Sequence, residues 1–121
     1  MKFVILHHTN GTDHYDLMIE YGKSLLTWHV STDKIMSLLK GEMIEVERIQ
    51  NHRKEYLSFE GALSSNRGNV SIFDSGNYEA ISFNNERIEI TLYGRMLNGK
   101  ILIKNIEQNI YSICYFSIDQ S

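Results

Sequence analysis

From Gly68 onward the sequence repeats one pattern: a short apolar, β-branched segment, then a cluster of turn residues. Val70 to Phe73, Tyr78 to Phe83, Arg87 to Tyr93, Lys100 to Ile106 and Ile110 to Ser117 are the apolar segments. Ser75-Gly76-Asn77, Asn84-Asn85, Asn98-Gly99 and Gln108-Asn109 separate them. At this spacing the segments read as consecutive antiparallel strands of a barrel or sandwich. Earlier in the chain, Lys2 to His8 is followed by the turn signal Asn10-Gly11, and His14 to Tyr21 reads as the return strand of a hairpin. Ser24 to Val30 is a third strand, and Met43 to Arg48 alternates, with Ile44 and Val46 on one face and Glu45 and Glu47 on the other. Ser31 is placed to cap a short helix through Lys40, with Gly41 as its stop. Asn51 is placed to open a single helical turn through Tyr56. Proline is absent, so the eight glycines and Asn, Asp and Ser must make the turns.

The chain has 121 residues, no internal repeat and no low-complexity linker, which predicts a single domain over residues 1–121. A domain of this size buries about two-thirds of the surface of its unfolded chain and needs no disulfide. Cys114, the single cysteine, reads as a core residue. No apolar run approaches the roughly 20 residues of a membrane span. Met1 to Leu6 is too short for a signal peptide, so the expected location is cytoplasmic and no membrane partner is expected. A net charge of −3 argues against coating nucleic acid through bulk positive charge, though not against gripping one end through local groups.

The chemistry concentrates in His7-His8-Thr9-Asn10-Gly11-Thr12-Asp13-His14-Tyr15-Asp16. Residues two apart on a strand share a face, so His14 and Asp16 project together, and a tight turn brings His8 back beside them. Two imidazoles and a carboxylate form a ligand set suited to manganese, iron or zinc with positions left open for substrate. The competing reading is an ordinary turn in which Asp13 or Asn10 bonds the local backbone. His7 faces away from His8 and reads as structural, and His29 beside Trp28 reads as a core or rim residue. A second cluster holds His52 and Tyr56, four apart. On a helical turn they would share one side and address one anion, and otherwise Tyr56 packs into the wall of a solvated turn.

Together these segments resemble the 3′-phosphoesterase domain of bacterial DNA ligase D and its stand-alone bacterial and archaeal relatives. The resemblance rests on His8, five residues, His14-Tyr15-Asp16 and Leu17 through Glu20, then Leu25-Leu26-Thr27-Trp28. It continues through His52, Tyr56 and Phe59-Glu60-Gly61, then Gly68-Asn69-Val70, Asp74-Ser75-Gly76 and Gly94 through Gly99, in the family's order. The resemblance implies a compact antiparallel β-barrel of about eight short strands with one or two short helices. It also implies a metal, most readily manganese, on His8, His14 and Asp16, and His52 and Tyr56 as catalytic groups holding the scissile phosphate opposite it. The implied activity is removal of 3′-terminal ribonucleotides and 3′-phosphates from DNA or RNA/DNA ends, leaving a 3′-hydroxyl for repair or end joining. A separate ligase or polymerase would be the implied partner.

Two positions depart from the family. Met18 stands where an arginine usually follows the metal-binding aspartate, and Ile44 stands near a second family arginine. Each bidentate arginine lost from a phosphate site costs on the order of 2 kcal/mol. Arg53, Lys54 and Arg67 are the cations available to replace them. The departures leave two alternatives open: a weakened relative that binds metal or nucleic-acid ends, and a phosphoesterase acting on small phosphorylated molecules.

Overall fold

The computed structural model describes residues 1–118. Strands β1 (Lys2–Asn10), β2 (Thr12–Tyr21) and β3 (Ser24–Ser31) lead into helix α1 (Thr32–Leu39) and strand β4 (Ile44–His52). A long connection carries 3₁₀ turns at Lys54–Leu57 and Ser64–Asn66 around the two-residue strand β5 (Gly61–Ala62). Strands β6 (Asn69–Phe83), β7 (Arg87–Gly94), β8 (Asn98–Glu107) and β9 (Ile110–Ser117) follow. The order around the sheet is β1-β2-β3-β4-β9-β8-β7-β6, and β6 pairs back onto β1, closing an eight-stranded antiparallel barrel with β5 on the far edge of β6. Closure leaves no long exposed edge to template aggregation.

The expected strands are present, and two turn signals have a different role from the expected one. Ser75-Gly76-Asn77 lies inside β6, which runs unbroken from Asn69 to Phe83. Its pairing with β1 steps from Ile5↔Asp74 to Leu6↔Ile72, so Phe73 is the extra residue of a bulge. The expected helical turn opening at Asn51 is displaced. Strand β4 keeps pairing with β3 as far as Leu25↔His52, and the turn forms only over Lys54–Leu57. Cys114 is half-buried rather than in the core, its thiol 3.9 Å from the Gly41 carbonyl.

Strand alternation divides β1 and β2 between two apolar layers. Phe3, Ile5, Leu17 and Ile19 point into the barrel, where they pack with Trp28, Ile90, Leu92 and Ile113. Val4, Leu6 and Met18 point outward and are covered by Tyr56, Leu57, Phe59 and Leu63 of the β4–β6 connection. The functional groups of β1 and β2 lie on this outer face.

Asp74 clips the barrel wall. Its fully buried carboxylate accepts backbone N–H groups from Ser75 (2.9 Å), Arg95 (2.8 Å), Met96 (3.3 Å) and Leu97 (2.9 Å), tying β6 to the β7–β8 turn. Gly94 is required there because a Cβ would lie 2.6 Å from the Asp74 carboxylate and 2.7 Å from the Phe3 ring.

Candidate active site

The grid of strand partners explains why His8, His14 and Asp16 converge. His8 lies directly opposite His14 across the β1–β2 pair, and Asp16 lies two residues further along β2 on the same outward face. The turn between them is as expected: Gly11 alone separates the strands, at φ +78°. His8 Nδ1 is 3.2 Å from His14 Nε2, which is 3.3 Å from Asp16 Oδ2. One ligand atom from each residue falls within 4.8 Å of the others. Burial pushes the His14 pKa below its ordinary value; Asp16 opposes that shift, and His29 and His8 reinforce it.

The surroundings leave these groups as electron-pair donors. His8 Nε2–H donates to the backbone carbonyl of Arg67 at 2.7 Å, so its Nδ1 presents a lone pair to the cluster. Asp16 is 5% exposed, and its Oδ1 is buried without a hydrogen-bond partner. A neutral His14 protonated on Nε2 serves Asp16 Oδ2 and still leaves Oδ1 unpaired. Protonated on Nδ1, it leaves three electron-rich groups facing one point. A cation bound there would satisfy what the protein's own donors do not, and mixed imidazole and carboxylate donors suit manganese, iron or zinc.

His52 reaches this face through a backbone irregularity. Between Thr27↔Ile49 and Leu25↔His52, β3 advances two residues while β4 advances three. The extra residue on β4 turns His52 onto the outward face shared with Leu25. His52 Nδ1–H donates to the Gln50 carbonyl at 2.9 Å, leaving Nε2 as the free ring nitrogen. The His52 and Tyr56 rings meet edge to face at 5.7 Å, so the expected pairing exists on a strand end and a 3₁₀ turn rather than on one helical turn. A cleft of about 310 Å³ is lined by His8, Asp16, His52, Arg53, Tyr56 and Arg67. His7 lies outside the cluster, stacked on Tyr15 at 4.6 Å and 3.3 Å from Asp13 Oδ2.

The model of the DNA ligase D 3′-phosphoesterase domain matches residues 6–104. The chain belongs to this family. It is 29% identical over 105 residues to the multifunctional non-homologous end joining DNA repair protein LigD of Mycobacterium tuberculosis H37Rv, covering 81% of this chain and 14% of that protein. The LigD protein of Mycolicibacterium smegmatis is 27% identical over 113 residues, covering 82% of this chain and 15% of the relative. The chain thus spans about a seventh of the length of these curated relatives.

Several elements of the family pattern have structural roles here. Glu20 accepts the Lys2 N–H at 3.0 Å and pairs with Lys54 Nζ at 3.0 Å, fixing the connection to the barrel. Glu60 accepts the Ile72 N–H at 2.7 Å, beside the β6 bulge. The two departures also have places: Met18, 1% exposed, lines the cleft from the outer apolar layer, and Ile44 lies in the barrel core. Arg48, on the same strand as Ile44, sits 5.7 Å above the Trp28 ring and bonds Asn51.

One neighbour of the cluster was not legible as such. His29 stacks on His14 with ring centroids 4.2 Å apart and planes 23° from parallel. Its signal was strand parity: with Trp28 inward, His29 faces outward, and the pairing Asp16↔His29 brings it to the cluster.

Proposed function

We propose that this domain hydrolyses phosphate esters at the 3′ ends of nucleic acids, with a divalent transition metal on His8, His14 and Asp16. The observation that carries this reading is the cleft lined by His8, Asp16, His52 and Tyr56, with His14 Nε2 3.2 Å from His8 and 3.3 Å from Asp16. Its membership of a 3′-phosphoesterase family agrees with it. The finer activity is removal of a 3′-terminal ribonucleotide and of a 3′-phosphate, as befits a protein serving DNA end joining beside a ligase or polymerase.

The bound metal, manganese in preference to zinc or iron, would supply Lewis-acid charge against a non-bridging phosphate oxygen. The remaining roles fall to the chain itself. His52, held through Nδ1 by the Gln50 carbonyl, offers Nε2 to the phosphate. When protonated it donates a charge-assisted hydrogen bond there or passes its proton to the leaving oxygen. Tyr56 adds a neutral hydroxyl donor from the same wall. His8 and His14 must be neutral to act as ligands, and burial favours that form of His14.

Met18 and Ile44 favour a second reading, a binding module that keeps metal and nucleic-acid end without turnover. Neither residue supplies a guanidinium, and Met18 is packed into the apolar layer. Arg53 and Arg67 keep cationic side chains at the cleft. The deciding assay is turnover of a primer-template bearing a 3′-terminal ribonucleotide or 3′-phosphate, with and without manganese, beside His14→Ala. Manganese-dependent release that disappears in the variant is expected. Binding without release would favour the module, and release only from free nucleotides would favour a small-molecule substrate.

A further inference from the structure

We infer that Arg53 and Arg67 form the passage for the substrate strand, and that the hollow beyond them seats the nucleotide on the 5′ side of the reacting 3′ group. This deepens the phosphoesterase reading and rests on it. A hollow of about 260 Å³ adjoins the cleft and shares Arg53, Tyr56, Leu63 and Arg67 with it. Its further wall includes Phe59, Ala62 and Ser64. Two cations thus stand between a polar cleft holding the candidate ligands and a partly apolar recess large enough for a base-sized group.

Both arginines are tied to the candidate machinery. The Arg67 carbonyl accepts the His8 Nε2–H at 2.7 Å. The Arg67 guanidinium is braced by Ser64, with Nε 3.0 Å from the carbonyl and Nη2 2.8 Å from Oγ, which leaves Nη1 for an anion. Arg53 follows His52 directly in the chain and pairs with Glu55 at 2.8 Å. Both partners of that pair are mostly solvent-exposed, so the pair is weak and a phosphate can take Glu55's place. Lys54 is committed to Glu20 and lines neither hollow.

A nucleic-acid end fits this layout as a small phosphorylated molecule does not. It brings a second phosphate one nucleotide from the first, for the arginines, and a base and sugar for the apolar wall. Phosphate contacts of this kind fix position without reading sequence, and contact with an apolar wall tolerates any base. The site therefore distinguishes a dinucleotide end from a mononucleotide and is indifferent to which bases it carries.

The test compares thymidine 3′-monophosphate with the thymidine dinucleotide ending in 3′-phosphate, using the full chain with manganese. Wild type should show a KM at least about tenfold lower for the dinucleotide. The double variant Arg53→Gln/Arg67→Gln should lose far more kcat/KM on the dinucleotide than on the mononucleotide. Ala62→Trp fills the hollow from an exposed position without removing charge, and should also erase the KM advantage. Equal losses on both substrates, or an intact advantage in the double variant or in Ala62→Trp, would overturn the inference. Fluorescence anisotropy of a 5′-labelled, 3′-phosphorylated oligonucleotide reads the passage without turnover. Weaker binding by the double variant supports the passage even where hydrolysis fails and the phosphoesterase reading falls, and unchanged binding refutes it.

Discussion

His14 joins the chemistry of the cleft to its stability. Burial holds its pKa below the ordinary 6.5, outweighing the opposing pull of Asp16, so the folded protein keeps the ring neutral. A depressed folded pKa contributes stability that is present above 6.5 and is lost as pH falls from there through the lowered folded value. The metal-free protein should therefore melt at a constant temperature above about pH 7 and lose stability below about 6.5, and His14→Gln should flatten that slope. Thermal melts in chelator across pH 5 to 8 measure this. Manganese affinity should fall in the same direction, because protons compete for the same nitrogen. His29 bears on the cluster through its stacked ring. Its removal in His29→Ala should weaken manganese binding about fivefold, corresponding to about 1 kcal/mol of ring stacking, and His29→Phe should restore most of it. An isothermal titration of each variant decides the point. His8, His14 and Asp16 were legible in the sequence because strand period and a tight turn are local rules. His29 was not, because its place depends on the register between β2 and β3, which spacing along one strand does not carry.

At the level of elements, the strands were legible and the irregularities between them were not. Residues that make turns also make bulges and close approaches, so Ser75-Gly76-Asn77 signalled a break where β6 instead continues. Likewise Asn51 belongs to β4, where an extra residue redirects His52, and no local helical signal records that event. Asp74 shows the same limit: its motif was visible, but its task of holding four N–H groups needs two strands and a turn assembled together. Substituting Asp74→Ala leaves the buried Leu97 N–H and three partly buried N–H groups without their acceptor, which should lower unfolding stability by about 2 kcal/mol. Urea denaturation measures the loss. Glu20 anchors the connection that carries Tyr56. Its carboxyl is held below the usual carboxylate range by the Lys54 hydrogen bond first and the Lys2 N–H second. That contribution is present above pH 4.5 and fades as pH falls below it. Glu20→Gln should accordingly speed amide exchange over residues 54–57 at neutral pH.

The whole molecule sets a closed barrel beneath a site built on its outside. The barrel interior needs only apolar residues, whereas the outer face of β1 and β2 is free to carry ligands because the β4–β6 connection covers the apolar residues beside them. The antiparallel class could be read from spacing, but the strand count and the closure through β1 and β6, which joins distant segments, came only with the family resemblance. A chain of net charge −3 still presents Arg53 and Arg67 at the cleft. The most direct measurement is a crystal grown with manganese and a non-hydrolysable analogue of a 3′-phosphorylated dinucleotide, scanned for anomalous scattering. One manganese peak bonded to His8 Nδ1, His14 Nε2 and an Asp16 carboxylate oxygen, with the terminal phosphate between it and His52 Nε2, is the expected result. A manganese ion bound elsewhere, or a phosphate seated away from His52 and Tyr56, would contradict it.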